Sequence, residues 1–347
     1  MMDKIGYIIN VDVGHLEEKA ILLLESIIKF VDNDPFVIVI KPNLKPISPN
    51  TLRYFTSKNV HFHEIELGNF FNYNMMMSKI FIASYAETLY GEMVDYLLFL
   101  DTDTIFLNSI ENNLFNKNFL IALRPTDFSD GSLVSFDSCS SVWKYLIKKF
   151  NLEENVRWKH KCIRDNVIAY ASFNSGFILE RKGTHLFEKW KIMADSVQSD
   201  KNFIDLLNQD KDSFHYLDQI LLSCILMKDF YPEDIDALNI RYNFNLESLF
   251  FGHVISFMGR KWVFDKLSLA LDDLIHLHYH HAFDSNPKSI LRYFHNKEYI
   301  SLLKSFVPFN NNINFREKIY KLVSKMYAIF RFTQYYILYN LMHKQLK

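Results

Sequence analysis

A chain of 347 residues, nearly half of them apolar, can bury one large core or a core with an appendage. Its formal net charge of −1 supplies no global basic field, so nucleic acid is not an expected partner. Cys139, Cys162 and Cys224 are odd in number and scattered, which excludes a disulfide framework and a CxxC metal site and fits a reducing compartment. No apolar run approaches a membrane span, and the first strand begins without a basic, apolar leader, so a cytoplasmic protein is expected.

Residues 6–11 read as a strand and 16–30 as a helix with apolar residues on most faces. A strand over 36–40, a helix around 51–57 and an alternating strand over 60–65 follow. Residues 74–90 are helical, with Met75, Met76 and Met77 as core filling. Residues 96–100 (YLLFL) form an unbroken apolar run suited to a strand buried on both faces. This βαβαβαβ order predicts an α/β domain, a mostly parallel sheet flanked by helices. In such sheets ligands gather beyond the carboxyl ends of the strands.

Two such places carry polar residues. After the first strand stand Asn10, Val11 and Asp12, where a nucleotide would lie; Asp12 reads equally as the cap of the next helix. After residue 100 stand Asp101, Thr102 and Asp103. In an extended segment residues i and i+2 project to one side, so both carboxylates can converge on one cation. Mg²⁺ and Mn²⁺ take such oxygen ligands and keep positions open for substrate phosphates. Alone, the stretch also reads as a core strand closed by an Asp-Thr-Asp turn. Lys79 lies on the helix one element upstream, either solvated or placed to hold an anionic diphosphate.

Met77-Ser78-Lys79-Ile80, residues 96–103 and residues 105–115 (IFLNSIENNLF) together resemble a glycosyltransferase of the Rossmann-like GT-A fold. They are most similar to the family of glycogenin and the bacterial lipooligosaccharide α-galactosyltransferases. The likeness continues in order through Phe173-Asn174-Ser175-Gly176, Leu217-Asp218-Gln219 and Arg241-Tyr242-Asn243, over about residues 5–290. It implies a UDP-sugar donor, a Mn²⁺ (or Mg²⁺) ion, and retention of anomeric configuration. On this likeness Asp101 and Asp103 bind the metal, with Thr102 beside the nucleotide. Asn174, Ser175, Asp218 and Gln219 would line the sugar pocket, and Lys79 would steady the diphosphate or sugar. Asp218 also reads as a plain helix cap, and Asn174-Ser175-Gly176 as a turn. The family completes its metal site with a histidine near the domain end. His276, His278 and His280 share one face of a strand, and His278 is favoured over His276.

The chain departs from that family at Asn286-Pro287, where Lys-Pro-Trp is usual, and Met258-Gly259-Arg260-Lys261-Trp262 resembles a displaced fragment of it. The expected division is a nucleotide-binding half at 1–127, an insertion at 128–172, an acceptor half at 173–290 and a helical tail at 291–347. Trp143, Arg157, Trp158 and Arg164 in the insertion read either as an acceptor pocket or as helical surface. From residue 311 on, seven lysines and arginines face a single acid, Glu317. With Ile319, Val323, Met326, Phe330 and Ile337 at near-helical spacing, this suits an anionic membrane surface. The resemblance to bacterial sugar transferases, which dock by such tails, implies the inner face of a membrane and a glycolipid or surface-glycan acceptor. A helix packed on the catalytic domain is the other reading. Two rival functions remain: a haloacid-dehalogenase-like phosphatase with Asp101 as nucleophile and Leu271-Asp272-Asp273 as its later acidic pair, and an inactive transferase-like binding protein.

Overall fold

The computed structural model describes residues 3–42, 45–67, 75–152, 158–162, 167–246, 271–279 and 296–306. Arg157, Arg164, His280, residues 258–262, Asn286-Pro287 and the basic tail beyond residue 306 lie outside the described residues. The first elements are β1 (Ile5–Asn10), α1 (His15–Phe30), β2 (Phe36–Pro42), α2 (Pro49–Ser57), β3 (His61–Ile65), α3 (Ser78–Tyr90) and β4 (Tyr96–Leu100). Then come β5 (Thr104–Phe106), α4 (Asn112–Phe115), β6 (Ile121–Pro125), α5 (Ser141–Phe150), β7 (Lys159–Lys161), β8 (Ile168–Tyr170) and β9 (Phe173–Arg181). The last are α6 (Leu186–Gln198), α7 (Lys201–Gln209), α8 (Lys211–His215), α9 (Leu217–Asp229), β10 (Ile235–Ala237), β11 (Phe244–Asn245), β12 (His276–His278) and α10 (Lys297–Phe306).

A seven-stranded sheet in the order β10-β6-β9-β4-β1-β2-β3 forms the centre. Its neighbours pair in parallel except β9, which runs antiparallel to both β4 and β6. β4 is buried along its whole length because both of its faces are covered. Leu97 and Phe99 enter one apolar layer with α3, α6 and α9, while Tyr96, Leu98 and Leu100 enter the other with α1. The insertion contributes to the first layer. Trp143 is buried there and donates its indole N–H to Gly131 O at 3.0 Å, so it is core and not acceptor surface. Trp158 packs its ring 4.3 Å from Phe173.

A second sheet, β11-β12-β5, stands beside the carboxyl end of β4. β12 pairs antiparallel with β5, setting His278 opposite Thr104. The chain therefore passes from the large sheet to the small one through Asp101-Thr102-Asp103.

Candidate active site

The three residues after β4 form a turn and not an extended segment, so alternation is not what brings their carboxylates together. Two hydroxyls lock the turn. Thr102 Oγ1 donates to Asn10 O at 2.6 Å, tying it to the end of β1, and Thr104 Oγ1 donates to Asp101 O at 2.6 Å. Backbone bonds from Asp101 N to Gly176 O (3.0 Å) and from Tyr279 N to Asp103 O (3.1 Å) hold it between β9 and β12. Asp101, Asp103 and His278 each offer a ligand atom, and these atoms lie within 4.8 Å of one another. His278 Nε2 is 3.0 Å from Asp103 Oδ1. Burial alone would lower the His278 pKa, but the adjacent Asp103 carboxylate reverses this and holds it above the ordinary value.

His276 shares the face of β12 but not the cluster. It is fully buried between the rings of Phe106 and Phe177, at 4.7 and 4.9 Å. Neither of its nitrogens has a hydrogen-bond partner among the described residues. Burial, with His278 adding to it, drives its pKa well below the usual value, so this imidazole is neutral.

Lys79 is buried, not solvated. Its ammonium lies 2.9 Å from Asp101 Oδ1, 3.1 Å from Asp218 Oδ2 and 3.2 Å from Ser175 Oγ. Burial would lower its pKa, but the two carboxylates more than reverse this and keep it charged. Ser175 Oγ in turn donates to Asp218 Oδ2 at 2.6 Å. Asp218 caps nothing: Tyr216 is the N-cap of α9, and no side chain caps that helix. The Asp218 carbonyl accepts the indole N–H of Trp190 at 3.2 Å, which pins the start of α9 to α6. Gln219 follows in the same turn, half-buried.

At the end of β1, Asp12 likewise caps no helix. The N-cap of α1 is Gly14, whose φ of +77° suits glycine, and Glu17 accepts from its N–H at 3.2 Å. Asp12 Oδ1 accepts instead from Val13 N at 2.7 Å. Val11 N donates to Ile40 O, and Asn10 Oδ1 has no partner among the described residues.

Glycine is required at position 176 by contact and not by φ. A Cβ there would lie 2.9 Å from Asp101 Oδ2, 3.0 Å from Asn174 Oδ1 and 3.1 Å from His278 Cε1. Asn174 Oδ1 accepts from Gly176 N (2.8 Å) and from Asn243 Nδ2 (2.7 Å). Asn243 and Trp190 are the partners that sequence reasoning did not count as site residues. The Arg241-Tyr242-Asn243 segment was the available signal for the first, and nothing local signals the second.

The site thus lies on a mixed α/β sheet, at an acidic turn that ends its fully buried strand β4 and leads into a small second sheet. The chain belongs to the Rhodobacterales glycosyltransferase domain family, whose model matches residues 7–229. That interval takes in Lys79, Asp101, Asp103, Asn174, Ser175 and Asp218 but stops short of Asn243 and His278. Among solved structures, the chain is similar to the apo bifunctional glycosyltransferase WbbM, with a TM-score of 0.44 and 15% identity. That match covers 92% of this chain and 52% of WbbM, so the chain spans about half its length. Apo mouse xyloside xylosyltransferase 1 gives a TM-score of 0.38 and 11% identity, covering 79% of this chain and 97% of that one. No curated protein matches the sequence. The family assignment displaces the phosphatase reading. Asp272 and Asp273, its second acidic pair, are not in the Asp101 cluster.

Proposed function

We propose that the protein moves a hexose from a UDP-sugar to a carbohydrate-containing acceptor, a surface glycan or glycolipid. The reaction would be metal-dependent and retaining, as in the glycogenin-like family that the sequence resembles. The observation that carries this is the Asp101–Asp103–His278 cluster lying against the Lys79–Asp218–Ser175 network. Two carboxylates and an imidazole are a donor set suited to Mn²⁺ or Mg²⁺, and Gly176 leaves them room that a Cβ would fill. A divalent ion there would act as a Lewis acid toward the leaving diphosphate.

The remaining work falls to side chains. Lys79 sets Asp101 and Asp218 against each other and adds positive charge beside the leaving group. Asp218 and Asn174 address the hydroxyls of the sugar, with Gln219 in the same turn, and the Asp218 carboxylate favours an oxocarbenium-like centre. Asn10, Val11, Asp12 and Thr102 line the nucleotide end, where β1 and β4 finish side by side. No described helix is long and apolar enough to cross a membrane. The basic tail at 311–347 is the segment we assign to an anionic membrane surface, which makes the enzyme peripheral on the cytoplasmic side.

The first test is the thermal midpoint with UDP plus Mn²⁺, with UDP plus EDTA, and with neither. A ligand at a hundred times its dissociation constant stabilises by about 2.7 kcal/mol, a shift of several degrees. The shift is expected only with metal, together with metal-dependent UDP release from a UDP-sugar. A metal-dependent shift without turnover on any UDP-hexose would favour the inactive binding protein, and no shift with any nucleoside diphosphate would remove the donor assignment.

A further inference from the structure

We infer that Asn243 is a positioning residue: it fixes the amide of Asn174 so that its NH₂ edge, not its carbonyl, faces the donor sugar. This rests on the transferase reading above. The argument is one of donors and acceptors. A backbone N–H can only donate, so the Asn174 atom 2.8 Å from Gly176 N is the oxygen, Oδ1. The same oxygen lies 2.7 Å from the Asn243 amide, so Asn243 must meet it with Nδ2. Both lone pairs of Asn174 Oδ1 are then used. The Asn174 NH₂ keeps two hydrogens with no protein acceptor among the described residues, on a partly buried side chain beside Ser175 and Gly176. A hydroxyl oxygen of the sugar is the acceptor it suits.

Asn243 is built into this role. It is 1% exposed and has φ +46°, a left-handed conformation that asparagine tolerates. Arg124 Nη1 donates to its carbonyl at 2.8 Å, which fixes the backbone from β6. The next residues form β11, where Asn245 pairs with His278 of β12. One residue therefore links β6, the sugar-facing end of β9 and the strand that carries His278. Its backbone role and its side-chain role are separable, because glycine and aspartate also accept this φ.

The experiment uses the full chain with Asn243→Gly, Asn243→Asp and Asn174→Asp, singly and as Asn174→Asp with Asn243→Gly. Binding of UDP with Mn²⁺ is compared with turnover of UDP-glucose, UDP-galactose and UDP-N-acetylglucosamine. Asn243→Gly should bind UDP with Mn²⁺ as the wild type does while kcat/KM for the sugar donor falls about tenfold, the scale of one lost hydrogen bond. Asn243→Asp should fall further, since its carboxylate meets the Asn174 oxygen with an acceptor. Asn174→Asp keeps both bonds to its neighbours but loses the NH₂, so it should show a comparable loss. Adding Asn243→Gly to it should cost nothing more.

Turnover of both Asn243 variants within twofold of wild type would overturn the assignment. So would additive losses in the double variant, or parallel loss of UDP binding, which marks general scaffolding. Failure of the wild type itself to bind UDP with Mn²⁺ would instead overturn the transferase reading, and this inference with it.

Discussion

At one end of β9, Ser175 bonds Asp218 and shares Lys79 with Asp101; at the other end Glu180 faces Glu87, with no salt bridge to Glu180 among the described residues. Both ends of the strand have carboxylates drawn out of solvent beside them, so depth alone does not separate them. At the Ser175 end two carboxylates keep the Lys79 ammonium charged, and that ammonium works against the burial that raises the Asp101 carboxyl. At the Glu180 end, burial and the neighbouring Glu87 push the carboxyl well above the usual range. Glu180 also accepts from Leu186 N at 2.6 Å, which anchors the start of α6. The two ends differ in what stands against the acids: an ammonium in contact with Asp101 and Asp218 at one, a second carboxyl beside Glu180 at the other.

The largest effect expected from breaking this contrast is on turnover. Asp101→Asn or Asp103→Asn should cost donor turnover on the order of 10³-fold, because each removes a charge that faces the proposed metal position. Near wild-type rates in either variant, with a folded protein by circular dichroism, would end the metal assignment. Lys79→Met comes next. It leaves Asp101 and Asp218 buried without their cation, at about 3–5 kcal/mol, read as a lower urea midpoint with unchanged m-value. If stability instead held, the ammonium would not be what separates the two ends.

The smallest effect is expected at the Glu180 end. Glu180→Gln mimics the protonated carboxyl and should change stability at neutral pH by less than about 1 kcal/mol. The pH profile sharpens the test. A raised carboxyl binds more protons folded than unfolded, so its contribution is fully present below about pH 4.3 and is lost as pH rises through the folded value. Urea midpoints from pH 4 to 8 should therefore show a falling component in the wild type that is absent in Glu180→Gln. Equal slopes in the two proteins would show that Glu180 is ionised after all.

Much of this was legible beforehand, for reasons particular to each element. The run at 96–100 is apolar without alternation because both faces of β4 are covered, and the Asp101 and Asp103 pair follows where the strand ends. Lys79 looked ordinary because a helix position does not announce its partners. Its carboxylates lie 22 and 139 positions further along the chain. Alternation correctly put His276 and His278 on one face, yet β12 is three residues long and only its end reaches Asp103. Asp12 resembled a cap because Gly14 and Glu17 do that work without a conventional side chain at the N-cap. The Glu87 and Glu180 pair was invisible, since two glutamates 93 positions apart, one on α3 and one on β9, meet only in the folded chain.

The placement of β9 also has a consequence for how the chain is made. β4 and β6 are consecutive in the sheet-forming order, yet they never touch; the slot between them is filled by a strand that leaves the ribosome about 80 residues after β4. Until residue 181 has emerged, both strands present open edges, the feature that templates wrong pairings. The two sides of the slot close together when β9 enters, and the acidic turn meets His278 only after nearly a hundred further residues. A nascent chain halted before β9 is thus a client for chaperones, not a smaller version of the enzyme.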